Sequence, residues 1–203
     1  MILFLRKIVT YLIKFFFRVK IFNKENMPDG SALVVCNHFS ALDPVFILNI
    51  CSKDIYFLSK NEVANDTFTG KMLIKAGAIP VDRQNPSMES MLKCIRTLKD
   101  GKKLVLFPEG TRNKTGTNEL QELKEGAGVF AVKTKSKIVP IIIEKKPRFL
   151  CRTNVVVGAP FELSDYYGVK VDDVVTERMN SDIRAKMLEV QSTLPEIVRK
   201  KKK

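Results

Sequence analysis

The chain contains one histidine, His38, and an aspartate, Asp43, follows it five residues later. Histidine is the side chain whose ordinary pKa allows it to accept and return a proton near neutral pH. A carboxylate bonded to the second ring nitrogen would fix the tautomer and the orientation of the ring, as in hydrolase triads. The sequence therefore offers one candidate centre for proton transfer, with Asp43 as the partner of His38. A loop histidine with an incidental acid nearby is the alternative.

The residues around this pair predict a loop that joins a buried strand to a helix. The apolar run 32–36 predicts the strand, and Asp43-Pro44 predicts a helix start with Asp43 as N-cap, followed by the apolar residues 45–50. On a single helix, a spacing of five residues would separate the two side chains by about 140°. They can therefore meet only if the loop 37–42 turns between them. Open α/β sheets bind their ligands at such strand ends.

Two further strand candidates end in charged loops. Residues 103–107 lead into Pro108-Glu109-Gly110-Thr111-Arg112-Asn113, and the strand-like segment that begins at Gly77 ends in Asp82-Arg83. A guanidinium beside backbone N–H groups suits an anion such as a phosphate monoester. Taken alone, the first loop is typical of an ordinary glycine turn. The dipeptide Asp82-Arg83, taken alone, is typical of a surface ion pair.

In their order along the chain, four segments resemble the sequence blocks of the glycerolipid acyltransferase family. The segments are Asn37-His38 with Asp43, Gly77 to Arg83, Phe107 to Arg112, and Ile138 to Ile142. The resemblance extends over residues 21–160 and includes Lys124-Glu125-Gly126-Ala127-Gly128. Within the family, the chain is most similar to bacterial members that acylate 1-acylglycerol 3-phosphate.

The resemblance implies transfer of an acyl group from acyl-CoA or acyl-carrier protein to the free hydroxyl of 1-acylglycerol 3-phosphate, giving phosphatidic acid. His38 would be the general base, oriented by Asp43. The sequence has no Gly-x-Ser-x-Gly elbow that would supply a covalent intermediate. An acyltransferase for glycerol 3-phosphate or another lysolipid and, more remotely, a non-catalytic membrane lipid-binding protein are the alternatives.

The same resemblance implies an acceptor site in the charged loops. Arg83 and Arg112 are the candidate ligands of the acceptor phosphate, and Glu109 would orient a glycerol hydroxyl or anchor an arginine. Gly110 and Thr111 would belong to the same site. Neither a metal nor a tightly bound cofactor is implied, since the acyl donor is a co-substrate.

Alternating strand and helix patterns predict one α/β domain, with a largely parallel or mixed central sheet flanked by helices. A chain of 203 residues is long enough for one domain with a sizeable core. The predicted strands are residues 32–36, 55–59, 78–82, 103–107, 138–143 and 153–157. The predicted helices are residues 44–51, 67–75, 86–99 and 126–135, with a closing helix at 172–194.

The charge and composition of the chain limit the kinds of molecule that it could bind. The net charge of +13 suits nucleic acid, an anionic membrane or acidic substrates. The sequence lacks a zinc-finger spacing, a recognisable helix-turn-helix and an RNA-binding aromatic signature, which argues against nucleic acid. With one histidine and four cysteines that show no Cys-x-x-Cys spacing, a zinc site is not expected. Two cysteines lie in apolar runs, and reduced, buried thiols favour a reducing compartment.

Residues 1–22 predict an amphipathic helix on a membrane surface. On a helical wheel, the apolar side chains fill one face. The basic side chains share a sector of about 160°, namely Arg6, Lys7, Lys14, Arg18 and Lys20. A helix packed on its own domain is the alternative. Charges interrupt every apolar run well short of the roughly 20 residues of a membrane span, and a signal-peptide pattern is not expected.

These features together predict a peripheral or monotopic protein at the cytoplasmic face of the cell membrane. Its parts would be the helix 1–22, an acyltransferase domain at 23–198 and a basic tail at 199–203. The tail would add attraction to an anionic bilayer.

Overall fold

The computed structural model describes residues 11–12, 14–51, 54–60, 71, 74–75, 77–82, 87–124 and 126–200. In these residues, seven strands form one sheet in the order β1-β7-β6-β2-β5-β3-β4. The strands are β1 (Val19–Phe22), β2 (Ala32–Cys36), β3 (Ile55–Lys60), β4 (Ala78–Val81), β5 (Lys103–Leu106), β6 (Lys137–Ile143) and β7 (Thr153–Val157). The pair β6–β7 is antiparallel and the other neighbours are parallel. The sheet is therefore mixed and mostly parallel, as the sequence predicts.

Helices cover both faces of this sheet. They are α1 (Asp43–Leu48), α2 (Met88–Lys99), α3 (Ala127–Thr134) and α4 (Asp173–Lys200), and short 3-10 helices occur at Lys24–Asn26 and Ser164–Tyr166. One apolar core contains residues of α2, α3 and α4, and a second core contains residues of α1. The strands alternate between the two cores, so that Leu33 and Val35 belong to the first and Val34 to the second. Such two-sided burial explains the continuous apolar runs of β2, β5 and β6.

Strand β1 corrects the predicted N-terminal helix. Residues 11–12 and 14–16 are helical, whereas residues 1–10 and 13 lie outside the described part of the chain. Arg18 has a φ of 42°, which breaks a helical path, and the next residue begins β1. Val19 and Phe22 are buried in the sheet, where β-branched and aromatic side chains pack well. The prediction of a helix to residue 22 is therefore wrong for its last six residues, because 17–18 form a turn and 19–22 form β1, and the folded domain includes Val19.

The remaining predicted elements agree with the structure apart from their ends. The strands at 32–36 and 153–157 are confirmed at both ends, and the helix at 126–135 is α3, one residue shorter at each end. The predicted helix 67–75 lies mostly outside the described residues, although residues 71, 74 and 75 are helical. The closing helix is longer than predicted, because α4 continues to Lys200 and takes in the start of the predicted basic tail. In the described segments, no helix has both the length and the apolar character needed to cross a bilayer.

Candidate active site

His38 and Asp43 form a hydrogen-bonded pair in the loop between β2 and α1. Nδ1 of His38 lies 2.8 Å from Oδ2 of Asp43. The Asp43 side chain is fully buried, and 17% of the His38 side chain is exposed. Because a carboxylate only accepts hydrogen bonds, the neutral ring carries its proton on Nδ1 and leaves the lone pair on Nε2. The pair is therefore arranged for Nε2 to accept a proton from a bound group.

The carboxylate of Asp43 also turns the loop back on itself. Oδ2 accepts hydrogen bonds from the backbone N–H groups of Phe39 at 2.6 Å and Ser40 at 2.7 Å. Asp43 is the first residue of α1, and Leu42 occupies the N-cap position without a side-chain bond. The predicted N-cap role of Asp43 is therefore wrong, because its carboxylate faces the loop. Oδ1 is buried and has no hydrogen-bond partner among the described residues.

The loop after β5 holds His38 from the other side. The backbone N–H of His38 donates to Oε1 of Glu109 at 2.9 Å. The backbone carbonyl of His38 accepts from the Asn113 N–H at 2.6 Å. The imidazole stacks on the Phe107 ring with a centroid distance of 4.1 Å. β2 and β5 are parallel neighbours, so their carboxyl ends bring the two loops together. The first and third of the family-like segments thus form one structural unit.

Glu109 is a buried carboxylate that connects two loops. It is 1% exposed, and besides His38 it accepts a hydrogen bond from the Gln121 N–H at 3.4 Å. Burial raises the pKa of Glu109, and the two backbone hydrogen bonds oppose that rise. In the described structure its hydrogen bonds come from these two amides, and the predicted part of Glu109 in the acceptor site stays a prediction. Glu109 supports the histidine through its hydrogen bond with the backbone N–H of His38.

The rest of the charged loop reaches the surface. Gly110 has a φ of 71°, a left-handed conformation that suits glycine, and its N–H donates to the Phe107 carbonyl at 3.0 Å. Thr111 and Arg112 follow this turn and are exposed. Arg83 lies outside the described residues. Its place beside Arg112 therefore stays a prediction.

An open cleft of about 500 Å³ adjoins the loop of the His38–Asp43 pair. We call it the basic cleft, because four cationic residues contribute to its lining. Its lining residues come from the loops after β2, β5 and β6: Phe39, Asn113, Lys114, Gly116, Thr117, Asn118, Lys145, Lys146, Arg148 and Cys151. These strands are adjacent, with β2 in the middle, so the cleft lies where their carboxyl ends meet. Its charge favours an anionic ligand.

Two buried asparagines position these loops, and the sequence reasoning gave them no role. Asn37 accepts from the Ile143 N–H at 2.8 Å and donates to the Ile143 carbonyl at 2.9 Å. Asn113 donates to the Glu119 carbonyl at 2.9 Å and accepts from the Thr115 N–H. In the sequence, only their positions next to His38 and Arg112 point to a role for these two asparagines. Among the described residues, no cluster of three or more His, Cys, Asp or Glu is suited to a metal ion.

Comparison with known proteins defines the class of the chain. The sequence profile of the family described as Acyltransferase matches residues 18–144. The 1-acyl-sn-glycerol-3-phosphate acyltransferase of Bacillus subtilis is 31% identical over 176 residues, which cover 82% of this chain and 86% of that protein. The chloroplastic enzyme of the same name from Arabidopsis thaliana is 34% identical over 132 residues, which cover 63% of this chain and 36% of that protein. The chain thus belongs to the acyltransferase family.

The fold is also that of a solved relative. The crystal structure of the 1-acyl-sn-glycerophosphate acyltransferase PlsC from Thermotoga maritima matches with a TM-score of 0.65 and 21% identity. The match covers 92% of this chain and 81% of that one. The predicted single α/β domain with a mixed, helix-flanked sheet is confirmed, and the protein is an acyltransferase.

Proposed function

We propose that this acyltransferase transfers an acyl group from acyl-CoA or acyl-carrier protein to the free hydroxyl of 1-acylglycerol 3-phosphate, forming phosphatidic acid. The observation that carries the proposal is the His38–Asp43 pair, with its 2.8 Å contact and a partly exposed imidazole beside a basic cleft. The names of the Bacillus subtilis and Arabidopsis thaliana relatives support this choice of acceptor.

In the proposed reaction, Nε2 of His38 accepts the hydroxyl proton while the acceptor oxygen attacks the thioester carbonyl carbon. Asp43 keeps its hydrogen bond to Nδ1 and stabilises the imidazolium that forms. The tetrahedral intermediate collapses, the C–S bond breaks, and the thiolate takes the proton from Nε2. A positioned general base contributes typically about 10²–10⁴-fold to such a rate. The acyl group passes directly from donor to acceptor, without a covalent enzyme intermediate.

The acceptor phosphate requires cationic ligands close to His38. We assign that role to Arg112 and Arg83, with Gly110 and Thr111 in the same acceptor site. Arg112 is exposed and follows the turn at Gly110, three residues after the carboxylate that braces His38. Its guanidinium can donate two hydrogen bonds to a phosphate.

Replacement of the guanidinium tests this assignment. Arg112→Ala should raise the KM for 1-acylglycerol 3-phosphate roughly tenfold to a hundredfold, because hydrogen bonds to charged groups are worth about 1.5–3 kcal/mol. Steady-state kinetics over a range of acceptor concentrations measures this, with Arg178→Ala, an exposed arginine of α4, as the matched control. An unchanged KM would remove Arg112 from the phosphate site.

The reaction itself is tested with purified full-length protein in liposomes and radiolabelled 1-acylglycerol 3-phosphate. Acyl-CoA and acyl-carrier protein are supplied in separate arms, and glycerol 3-phosphate and other lysolipids replace the acceptor in parallel. We expect labelled phosphatidic acid with at least one donor. Acylation of glycerol 3-phosphate or another lysolipid in its place would overturn the acceptor assignment, and hydrolysis of the donor without acylation would indicate a thioesterase.

We also propose that the enzyme is a peripheral or monotopic protein at the cytoplasmic face of the membrane, held by its N-terminal segment. In the described part of that segment, Tyr11, Leu12 and Phe15 are exposed beside the exposed Lys14. Exposed aromatic side chains next to a cation are typical of an interfacial helix. The acyltransferase domain that follows would thereby be held close to its lipid acceptor.

A further inference from the structure

We propose that the loop after β6 forms, together with residues near the N-terminus, a docking surface for an anionic bilayer. We call this surface the aromatic ridge. Its members are large apolar side chains that are each at least 36% exposed: Tyr11, Leu12, Phe15, Phe16, Phe149 and Leu150. Soluble monomers rarely display contiguous apolar patches unless they serve an interaction. The N-terminal segment alone supplies only part of this surface, because Phe149 and Leu150 belong to the loop between β6 and β7.

Aromatic contacts and one backbone hydrogen bond join the two halves of the ridge. The Phe149 ring stacks on Phe16 with a centroid distance of 5.3 Å and meets Phe17 edge-on at 6.3 Å. The Leu150 N–H donates to the Phe16 carbonyl at 2.7 Å. Phe15 and Phe16 form an edge-to-face pair at 5.4 Å. Aromatic pairs and a backbone hydrogen bond therefore hold the loop of Phe149 against the N-terminal residues as one surface.

The backbone at Leu150 supports an exposed role for this loop. Leu150 has a φ of 57°, in the left-handed region that side chains other than glycine rarely adopt. The side chain at this unusual position is not buried, since 55% of it is exposed. Packing in a core therefore does not account for the strained turn.

Charge selects an anionic membrane as the occupant. Exposed basic residues lie on both chain segments that form the ridge: Lys14, Arg18, Lys145, Lys146 and Arg148. An apolar patch rimmed by lysine and arginine fits the boundary between acyl chains and anionic headgroups. The net charge of +13 adds long-range attraction to the same surface.

The ridge is tied to the active site. Phe17, which contacts Phe149, also packs on Phe46 of α1 at 6.0 Å, and α1 begins with Asp43. Arg148 and Cys151, which flank the exposed tip of the loop, line the basic cleft. Docking of the ridge would therefore place the basic cleft at the headgroup level, where a membrane-embedded acceptor can reach it. That last consequence rests on the proposed function, whereas docking itself does not.

Vesicle flotation of the full chain tests the docking surface. The vesicles contain either equal parts of phosphatidylcholine and phosphatidylglycerol or phosphatidylcholine alone. The double variant Phe149→Ser/Leu150→Ser should lose about tenfold or more in partition to the anionic vesicles, because two large apolar side chains no longer enter the interface. The control Val169→Ser/Val174→Ser removes two other exposed apolar side chains, one in α4 and one before it, and should stay within about twofold.

A fluorophore placed beside the ridge provides a second readout. Cys151 is the exposed cysteine, and an environment-sensitive dye attached to it in a Cys51→Ala background reports on the loop directly. We expect a blue shift with the anionic vesicles and quenching by a lipid-borne quencher. This signal reports contact of the loop itself with the bilayer, which flotation does not resolve.

Several outcomes would overturn the proposal. These are equal flotation of the double variant and the wild type, an unchanged dye spectrum, and equal binding to phosphatidylcholine alone. Light scattering that shows a dimer which the double variant dissociates, with no vesicle binding, would instead assign the ridge to a second copy of the chain. A wild-type protein that floats but does not acylate 1-acylglycerol 3-phosphate would overturn the proposed function alone.

Discussion

His38 is fixed at four points, and Nε2 of its ring is not one of them. Its N–H, its carbonyl, its Nδ1 and one face of its ring contact Glu109, Asn113, Asp43 and Phe107 respectively. Such constraint holds a base in position before the substrate arrives, which removes an entropic part of the barrier. Glu109, Phe107 and Asn113 thus support the histidine in the described structure.

The raised pKa of Glu109 makes the stability of the folded protein depend on pH. Burial raises the pKa of Glu109 above its ordinary value, so the folded state binds a proton more tightly than the unfolded chain does. The stability contributed by this group therefore falls as pH rises from the unfolded pKa through the raised folded pKa. Glu109→Gln removes the titration. We expect the unfolding free energy of wild type minus that of the variant to fall across this window and then to level off.

Urea denaturation of both proteins at a series of pH values measures this difference. Glu122→Gln, an exposed carboxylate of the neighbouring segment, is the matched control. A difference between wild type and Glu109→Gln that does not change with pH would contradict the assignment of the raised pKa to Glu109.

At this scale the sequence predicts which residues meet, but not every role. The His38–Asp43 pair could be predicted because a short loop spans its five-residue separation. The role of Glu109 could not, because its bond to the His38 N–H joins residues 71 positions apart. Partners at that distance depend on which strands are neighbours in the sheet, and one sequence does not specify strand order.

At the scale of elements, three adjacent parallel strands bring the residues of the candidate site together. β6, β2 and β5 end at the same edge, and their loops supply the His38–Asp43 pair, the Glu109 carboxylate that supports His38, and the lining of the basic cleft. The sequence predicts these strands well because burial on both faces makes them continuous apolar runs. β1 was missed because the alternation of Val19-Lys20-Ile21-Phe22 fits an amphipathic helix as well as a strand. Its pairing partner, β7, begins at Thr153, far along the chain.

Asn37 joins two of these strands where they end. Its buried amide both donates to and accepts from the backbone of Ile143, at the end of β6. Asn37→Ala leaves a buried N–H and a buried carbonyl without partners, at about 1–3 kcal/mol for each unsatisfied group. We expect a loss of roughly 2–4 kcal/mol in the free energy of unfolding.

Chemical denaturation measures the loss, with Asn49→Ala as the matched control. The amide of Asn49, the residue after α1, donates to the Val45 carbonyl and is only partly buried, so its replacement should cost less than about 1 kcal/mol. Equal losses for the two variants would contradict a special role of Asn37 in joining the strands.

At the scale of the whole molecule, the two cores protect two of the four thiols. Burial raises the pKa of the Cys36 thiol well above its ordinary value, with further increments from Asp43 and Glu109, and burial raises the pKa of Cys94 to about 12. Alkylation requires the thiolate and access to it. In the native protein at neutral pH, Cys151 should therefore react with iodoacetamide first, since it is exposed. Cys36 and Cys94 should react only after unfolding.

Peptide mass spectrometry after timed alkylation measures the order of reaction, and the same reaction in urea provides the control. Native-state modification of Cys36 or Cys94 at the rate of Cys151 would contradict the burial of both cores.

The distribution of charge and apolar surface also has a meaning at this scale. The basic cleft and the aromatic ridge share the loop that follows β6, and the loop of the His38–Asp43 pair adjoins the cleft through Phe39. An edge of the sheet that combines cations, aromatic side chains and a histidine supports the proposed reaction on a lipid that carries a phosphate. The two faces of the sheet are covered by helices and form the two cores, α2, α3 and α4 on one face and α1 on the other.

The most direct test of the central claim is a double-mutant cycle on kcat/KM for phosphatidic acid formation, with wild type, His38→Ala, Asp43→Asn and the double variant. If His38 is the general base and Asp43 acts through it, His38→Ala should lose at least about 10²–10⁴-fold while it stays folded by circular dichroism. Asp43→Asn should also lose activity, and its addition to His38→Ala should cost little more. Wild-type-like turnover by folded His38→Ala, or fully additive losses in the double variant, would contradict the account.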